Sequence, residues 1–185
     1  MAKQYDALND TLREFILRQH IFFTASATAD SRVNVSPREI GALRLLDDNT
    51  ACYLDRTGSG NETAAHMLAD GRLTIMVCAF EGPPQILRLY GRGESVGWDT
   101  EEFRALIDRH YGGEVPLGTR QIMKLHFDLV QTSCGYGVPL FDYTGERAAI
   151  ENWHNAKGPE GIRDYWEANN RTSMDGLPTG LHVPE

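Results

Sequence analysis

The stretch ACYLDRTGSGNETAAHMLADGRLTIMV (residues 51–77) carries the pattern that decides the fold. Its apolar start belongs to a run over 50–55 that predicts a β-strand, and Gly- and Ser-rich residues then turn the chain. The next segment, 61–70, predicts a short helix that ends at Gly71. A second β-rich run over 72–80 follows at once, so one short helix separates two strands.

Pairs of β-rich runs joined by short polar turns dominate the rest of the chain. Three such pairs predict hairpins, namely 21–29 with 33–37, 42–46 with 50–55, and 72–80 with 85–96. Residues 121–134 alternate between apolar and polar side chains, which predicts a long strand with one solvated face. Because β-α-β alternation is absent, we expect a mainly β (α+β) fold in which about six antiparallel strands form a barrel or sandwich.

Further helices are expected on either side of these strands. Apolar residues at helical spacing predict an amphipathic helix over 4–19. Asp99 or Thr100 is the expected N-cap of a helix over 99–111, which has acidic residues in its first turn. The region 144–173 predicts two helices that are interrupted near its KGPEG sequence.

Length, charge and cysteine content narrow the class of protein. The 185 residues suit one domain, in which we expect a barrel over 1–145 and a C-terminal helical extension over 146–185 packed on it. Twenty-six acidic against 18 basic residues give a net charge of −8, which argues against general binding to nucleic acid or anionic membranes. We see no membrane span or signal peptide and only three scattered cysteines, so we expect a cytoplasmic protein with reduced thiols.

The Gly-rich turn before the helix at 61–70 is a candidate anion site. Gly58 and Gly60 let the backbone approach a ligand without a Cβ clash. The first-turn N–H groups and the positive end of the helix dipole point at one spot, where a phosphate is stabilised. The nearby side chains that add donors are Arg56, Thr57, Ser59 and Thr63.

The same residues also suit a purely structural role. Asn61 or Ser59 is able to cap the helix, with the glycines serving only the turn. Asp55 and Glu62 place negative charge nearby, and neither GxGxxG nor GxxxxGK[ST] is present. The residues of the turn alone therefore leave both interpretations open.

Several blocks of the chain together resemble one known family. The segment FFTASATADSRVNVSP (22–37), the opening stretch and ILRLYGRGESV (86–96) resemble, in order and spacing, the pyridoxamine 5'-phosphate oxidase-like FMN-binding split β-barrels. The resemblance covers roughly residues 14–130, and SCGYGVP and SMDGLP near the C-terminus resemble one subgroup, mostly without assigned reactions. It implies an antiparallel six-stranded split β-barrel with flanking helices, and a homodimer with two FMN sites at the subunit interface.

The resemblance also implies where FMN would bind. The family holds the phosphate where the helix after the Gly/Ser turn begins, but its usual Ser-Arg-Lys falls on Asn61, Glu62 and Thr63 in this sequence. The missing positive charge is therefore expected from Arg56, Arg38 or Arg88. The residues expected to bind the cofactor are Ser36, Arg38, Asp55, Arg56, Thr57, Ser59, Gly60, Asn61, Thr63 and His66.

The function implied by the resemblance is that of an FMN-dependent oxidoreductase with an unknown small-molecule substrate or a nicotinamide electron donor. A non-catalytic flavin- or haem-binding module and a deazaflavin-dependent reductase on the same fold are the alternatives. No catalytic residue is assigned: His126 suits either a proton donor or a solvated strand face, and Cys134 lacks nearby cationic residues that would activate it. No two histidines have ligand spacing, so no metal site is expected.

Overall fold

The computed structural model describes residues 2–184 and contains one antiparallel sheet. The eight strands are β1 (Lys3–Tyr5), β2 (Ile21–Ser26), β3 (Asn34–Glu39), β4 (Leu43–Leu45), β5 (Thr50–Arg56), β6 (Arg72–Cys78), β7 (Gln85–Gly97) and β8 (Thr119–Cys134). Seven of them follow the order β3-β2-β6-β7-β8-β5-β4, and β1 pairs with the part of β8 that extends past the first residue of β5. The sheet curves into a half-barrel, which confirms the expected fold class with a longer sheet than the six strands predicted.

In the described part of the chain, four α-helices flank the half-barrel. They are α1 (Asp10–Leu17), α2 (Glu62–Ala69), α3 (Glu101–His110) and α4 (Ala149–Asn169). The α2 helix connects β5 to β6 and packs against β2, β6 and β7. The interruption expected in α4 is confirmed at Gly158, whose φ of 67° is outside the helical range. Within residues 2–184, no helix combines the length and the apolar character that crossing a bilayer requires.

The three hairpins predicted from the sequence are confirmed, but the expected N-terminal helix is wrong at its start. The pairs β2/β3, β4/β5 and β6/β7 are all antiparallel neighbours. The first helix begins only at Asp10, because the Asn9 side chain accepts a hydrogen bond from the Leu12 amide at 3.0 Å and caps it. Residues Lys3–Tyr5 instead extend the sheet along β8.

The core lies between the sheet and the helices that pack on it. Strand β5 is buried on both faces from Thr50 to Asp55, so it runs through the centre of the molecule. One glycine is essential for the pairing of β7 with β8, where the register shifts by one residue. A Cβ atom on Gly91 would lie 2.0 Å from the carbonyl oxygen of His126, so no other residue fits there without displacing the backbone.

The second half of α4 and the C-terminal segment form a smaller apolar cluster. Ile162, Trp166 and Leu181 are buried there and pack against Trp98. The indole N–H of Trp98 donates to the carbonyl of His182 at 2.9 Å, which fixes the end of the chain beside α3. The boundary expected between residues 145 and 146 remains a prediction.

Candidate functional site

A cavity of about 520 Å³ opens where the Gly-rich turn meets the start of α2. Three arginines from three different strands face it: Arg38 from β3, Arg56 from the end of β5 and Arg120 from the start of β8. Seven of the ten residues expected to bind the cofactor lie on its wall, namely Ser36, Arg38, Arg56, Ser59, Gly60, Asn61 and Thr63. Among the described residues, the carboxylate of Glu62 is the one that lines this cavity.

Asp55 lies beneath the cavity and connects two of these arginines. Its carboxylate is fully buried, at 3.1 Å from Arg38 and 3.0 Å from Arg120, and it accepts a further hydrogen bond from Gln121 at 2.8 Å. Burial alone would raise the pKa of Asp55, but the charges of Arg120 and Arg38 outweigh it and hold the pKa below its ordinary value. Asp55 is therefore ionised and acts on the cavity through the arginines rather than by contact.

Arg120 has only 3% of its side chain exposed and completes a bridge between the sheet and the Gly-rich turn. While its Nε bonds to Asp55, its Nη1 donates to the carbonyl of Gly60 at 2.9 Å. Its position follows from the β5/β8 pairing, which places Gln121 opposite Asp55. Sequence reasoning missed Arg120, because no local motif indicates which residue of β8 lies beside the turn.

Arg38 projects from the inner face of edge strand β3. Its guanidinium lies over the Tyr53 ring, 4.8 Å from the centroid, and 20% of the side chain is exposed. The buried Nε of Arg38 has no hydrogen-bond partner among the described residues, and neither has the Tyr53 hydroxyl. Buried donors without partners are rare in folded proteins, so the space beside Arg38 and Tyr53 lacks a hydrogen-bond acceptor.

Alternation along β3 places three polar side chains on the same side of that strand. Asn34, Ser36 and Arg38 are spaced two residues apart, and all of them line the cavity. Asn34 donates from its amide to the Thr63 hydroxyl at 3.0 Å, which connects β3 to the first turn of α2. Asn34 was missed from sequence, although its period-two relation to Ser36 and Arg38 was visible there.

The start of α2 differs from the expected capped helix. Asn61 occupies the N-cap position, but its side chain does not bond to the first turn. Instead the side-chain oxygen of Asn61 accepts from the Gln121 side chain at 2.8 Å, and its side-chain NH2 donates to the backbone carbonyl of Asn170 at 3.3 Å. The expectation that Asn61 or Ser59 caps α2 is therefore wrong for Asn61, and no side chain of the described residues caps the positive end of the helix.

Thr57 and His66, both expected to bind the cofactor, lie behind the cavity wall. The Thr57 hydroxyl donates to the carbonyl of Gly118 at 2.7 Å and accepts from the indole N–H of Trp166 at 2.6 Å. His66 is buried, with Nδ1 3.0 Å from the Ser26 hydroxyl and Nε2 without a partner among the described residues. These two residues therefore support the wall and do not face the cavity.

The C-terminal segment closes the outer side of the Gly-rich turn. Asn170 donates from its amide to the carbonyl of Gly58 at 3.2 Å, and Met174 is part of the cavity wall. The amide N–H of Met174 donates to the Glu62 carboxylate at 3.1 Å, which draws that negative charge towards the tail. Neither Asn170 nor Met174 was expected, since no short-range pattern connects the tail to the turn.

A second cavity of about 680 Å³ adjoins the first. The two share Pro37, Arg38 and Arg56, which stand between them. The apolar part of the second cavity's wall consists of Ile21, Ala42, Leu54, Phe80, Phe141, Ala149 and Ile150. A polar, arginine-lined compartment thus continues into a largely apolar one.

The remaining candidates lie elsewhere. Arg88 is on β7, where it donates to the Ser133 hydroxyl at 3.2 Å, and it does not line the arginine cavity. His126 is exposed on β8 beside Glu94, and Cys134 is exposed at the end of the same strand. Over residues 2–184, no three His, Cys, Asp or Glu side chains come close enough together to hold a metal ion.

The structure is thus an antiparallel half-barrel with an arginine-lined cavity at the start of a short helix. Comparison with known proteins identifies its family. The family model for pyridoxamine 5'-phosphate oxidase matches residues 8–134, and the chain belongs to that family. A pyridoxamine 5'-phosphate oxidase family protein of Aspergillus flavus, ustO, is 34% identical over an alignment of 194 positions, which covers 96% of this chain and 77% of the relative.

Solved structures share the fold at low sequence identity. HupZ of Group A Streptococcus superposes with a TM-score of 0.53 at 17% identity, covering 66% of this chain and 92% of HupZ. A pyridoxamine 5'-phosphate oxidase-type protein of Lactobacillus delbrueckii gives a TM-score of 0.53 at 15% identity, over 68% and 94% of the two chains. The haem storage protein HutZ of Vibrio cholerae gives 0.51 at 17%, over 70% and 97%. At these identities the similarity shows the fold alone.

Proposed function

We propose that this protein is a flavoprotein that binds FMN, with the FMN phosphate in the arginine-lined cavity. The observation that carries the proposal is the convergence of Arg38, Arg56 and Arg120 on the uncapped start of α2. Guanidinium groups and first-turn amides are the donors that phosphate prefers in proteins. The residues present fit the group, because the Nε atoms of Arg38 and Arg56 are buried donors that have no partner among residues 2–184.

The adjoining apolar cavity supports the same ligand. FMN has an anionic phosphate at one end and a planar ring system at the other, and the two compartments meet at Arg38 and Arg56. Volumes of about 520 and 680 Å³ are in the ordinary range for cofactor sites. Arg38 would hold the phosphate end, and the wall that includes Leu54 and Phe80 would cover part of the ring.

FMN, when bound, would supply electron-transfer chemistry that no side chain provides. The chain's own contribution is to bind the phosphate, orient the ring and keep water away from it. We infer an oxidoreductase that acts on a small molecule or accepts electrons from a nicotinamide. Non-catalytic flavin or haem binding is an alternative outcome of the tests below, and deazaflavin-dependent reduction on the same fold is the third candidate.

We also propose that the active form is a homodimer with the cofactor at its interface. The edge strand β3 exposes Val35 by 60%, and the preceding Val33 by 72%. The irregular segment 135–148, which borders the apolar cavity, exposes Leu140 by 75% and Phe141 by 60%. Phe141 lines the apolar cavity, while Val33 and Val35 alternate with the cavity-lining side chains of β3 and lie on its other side. Exposed apolar side chains such as these are typical of protein contact surfaces, and a second copy would cover them.

The test begins with the visible spectrum of the purified protein and a titration with FMN and riboflavin. Flavin absorbance that NADH bleaches supports a reductase, flavin absorbance without turnover supports a binding protein, and a Soret band supports haem. Riboflavin lacks the phosphate, so we expect it to bind more weakly than FMN. Equal affinities for the two ligands would contradict the phosphate assignment.

A pair of arginine variants sharpens this test. Arg38→Ala is expected to weaken FMN binding by about 1–3 kcal/mol, the range for hydrogen bonds to charged groups. The affinity for riboflavin should change less than that for FMN, because riboflavin has no phosphate for Arg38 to contact in either wild type or the variant. Arg88→Ala is the matched control, because Arg88 lies away from the arginine cavity and should leave both affinities unchanged.

A further inference from the structure

A buried histidine on α4 contacts Arg56 from behind the cavity. His154 has no exposed surface, and its Nδ1 lies 2.9 Å from Nη2 of Arg56. Its Nε2 lies 3.3 Å from the carbonyl oxygen of Thr57. The same guanidinium also donates to the carbonyl of Leu117 at 3.2 Å and to the carboxylate of Glu151.

These contacts fix the protonation state of the imidazole. A guanidinium N–H can only donate, so Nδ1 of His154 accepts from Arg56. The carbonyl of Thr57 can only accept, so Nε2 carries the proton. His154 is therefore neutral in this arrangement, with its proton on Nε2.

The backbone beneath the ring holds the imidazole in place. A Cβ atom on Gly118 would lie 2.5 Å from Nε2 of His154, and Gly118 has a φ of 84° that favours glycine. The carbonyl of Gly118 in turn accepts from the amide and the hydroxyl of Thr57. The ring thus lies in a slot that leaves it little freedom to turn.

We propose that His154 is a positioning residue, which holds Arg56 at the cavity wall while its imidazole is neutral and displaces Arg56 when it gains a proton. Protonation removes the acceptor at Nδ1 and places a like charge against the guanidinium. The inference rests on the proposed function, since it makes phosphate binding depend on the state of His154. It does not require His154 to touch the ligand.

The surroundings of the ring lower the pKa of His154 on balance. Burial is the largest influence that lowers the pKa of His154, and the charges of Arg56 and, more weakly, Arg120 lower it further. The Thr57 carbonyl and the Glu151 carboxylate act in the opposite direction without reversing the shift. His154 therefore stays neutral at neutral pH and gains its proton only in a more acidic medium than a free histidine does.

The first experiment needs no ligand. Nitrogen-15 NMR of histidine-labelled protein should show the proton of His154 on Nε2, with the signal assigned among the six histidines by loss in His154→Asn. Arg56→Met should raise the titration midpoint of His154, because a neighbouring positive charge is removed. A proton on Nδ1, or an unchanged midpoint in Arg56→Met, would overturn the proposal.

The second experiment compares two substitutions of the same residue. His154→Asn places its carbonyl oxygen near the position of Nδ1 and keeps an acceptor for Arg56, whereas His154→Gln keeps an amide donor near Nε2 for Thr57. We expect FMN affinity close to wild type in the Asn variant and a loss of roughly tenfold in the Gln variant. The reverse order would show that His154 merely supports the turn.

The pH dependence of FMN affinity distinguishes protonation of His154 from protonation of the FMN phosphate. The FMN phosphate itself titrates near pH 6, but that effect is common to all variants. We therefore expect wild-type affinity to fall more steeply with decreasing pH than that of His154→Asn, and identical slopes would refute the proposal. The exposed His126→Asn is the control. If wild type binds no FMN but the NMR experiment gives the expected tautomer and midpoint shift of His154, the proposed function fails and the placement of Arg56 by His154 stands.

Discussion

Replacing Asp55 with asparagine tests the charge arrangement beneath the arginine cavity. The carboxylate is fully buried and lies within 3.1 Å of both Arg38 and Arg120, so the variant leaves two guanidinium groups without their counter-charge. Breaking a buried ion pair by removing one partner costs about 3–5 kcal/mol. Asparagine keeps the volume and an oxygen for Gln121, and the partly exposed Arg38 can regain water. We therefore expect a loss of about 3 kcal/mol.

Urea unfolding at pH 7, followed by tryptophan fluorescence without ligand, measures this loss. The three tryptophans make the signal sensitive to the sheet and to α4. Asp48→Asn is the matched control: Asp48 is 70% exposed and pairs with Arg13, so its loss should cost less than about 1 kcal/mol. An Asp55→Asn protein as stable as the control would refute the reasoning.

Wild type and Asp55→Asn should also differ in how their free energy of unfolding depends on pH. The folded-state pKa of Asp55 is lowered, so its contribution is fully present above the unfolded pKa, near 3.8, and is lost as the pH falls towards the folded value. The stability difference between wild type and Asp55→Asn should therefore be constant near neutrality and narrow below about pH 4. A difference that narrows already near pH 6 would point to a histidine instead.

Three further substitutions test the frame around the cavity. Gly91→Ala should destabilise the protein by about 3 kcal/mol in urea, since its Cβ would meet a backbone carbonyl at 2.0 Å, whereas Gly137→Ala, with open space around it, should be neutral. Trp166→Phe removes the hydrogen bond to Thr57 and should cost about 1 kcal/mol, with a wild-type melting curve as the contradicting result. Val35→Lys should give a monomer by light scattering with weaker FMN binding, and an unchanged dimer would exclude β3 from the interface.

Local patterns were sufficient to predict most of the sheet. Turn residues and alternation identified the hairpins, because each depends on residues close together in the sequence. The error at the N-terminus has a different origin. Residues Lys3–Tyr5 are a strand only because β8 extends past the first residue of β5 and has an unpaired edge there. No property of those three residues by themselves distinguishes this strand from the start of a helix.

The site was predictable where its residues lie close together in the chain. Ser36, Arg38 and the turn up to Thr63 were found from spacing and resemblance, and they do share a cavity. Arg120 and Asn170 escaped because their positions follow from strand register and from the path of the C-terminal segment. The predicted N-cap at Asn61 was wrong, because the Asn61 side chain bonds to two residues that are distant in sequence rather than to the first turn of α2.

The three arginines differ in how much of each guanidinium is already committed, and that difference predicts their roles. Arg120 is 3% exposed and bonds to Asp55 and Gly60, so its loss should mainly reduce stability. Arg56 is 9% exposed and is committed to three partners outside the cavity.

Arg38 is 20% exposed and faces both cavities, and Asp55 is its one ion-pair partner in the part of the chain that the structure describes. It is therefore the donor most available to a ligand. Methionine substitutions should rank Arg38 first, Arg56 second and Arg120 third in lost FMN affinity, and Arg120 first in lost urea stability. If Arg120→Met instead weakened FMN binding most at unchanged stability, Arg120 would be the residue that holds the phosphate, and the buried ion pair with Asp55 would have to open to release it.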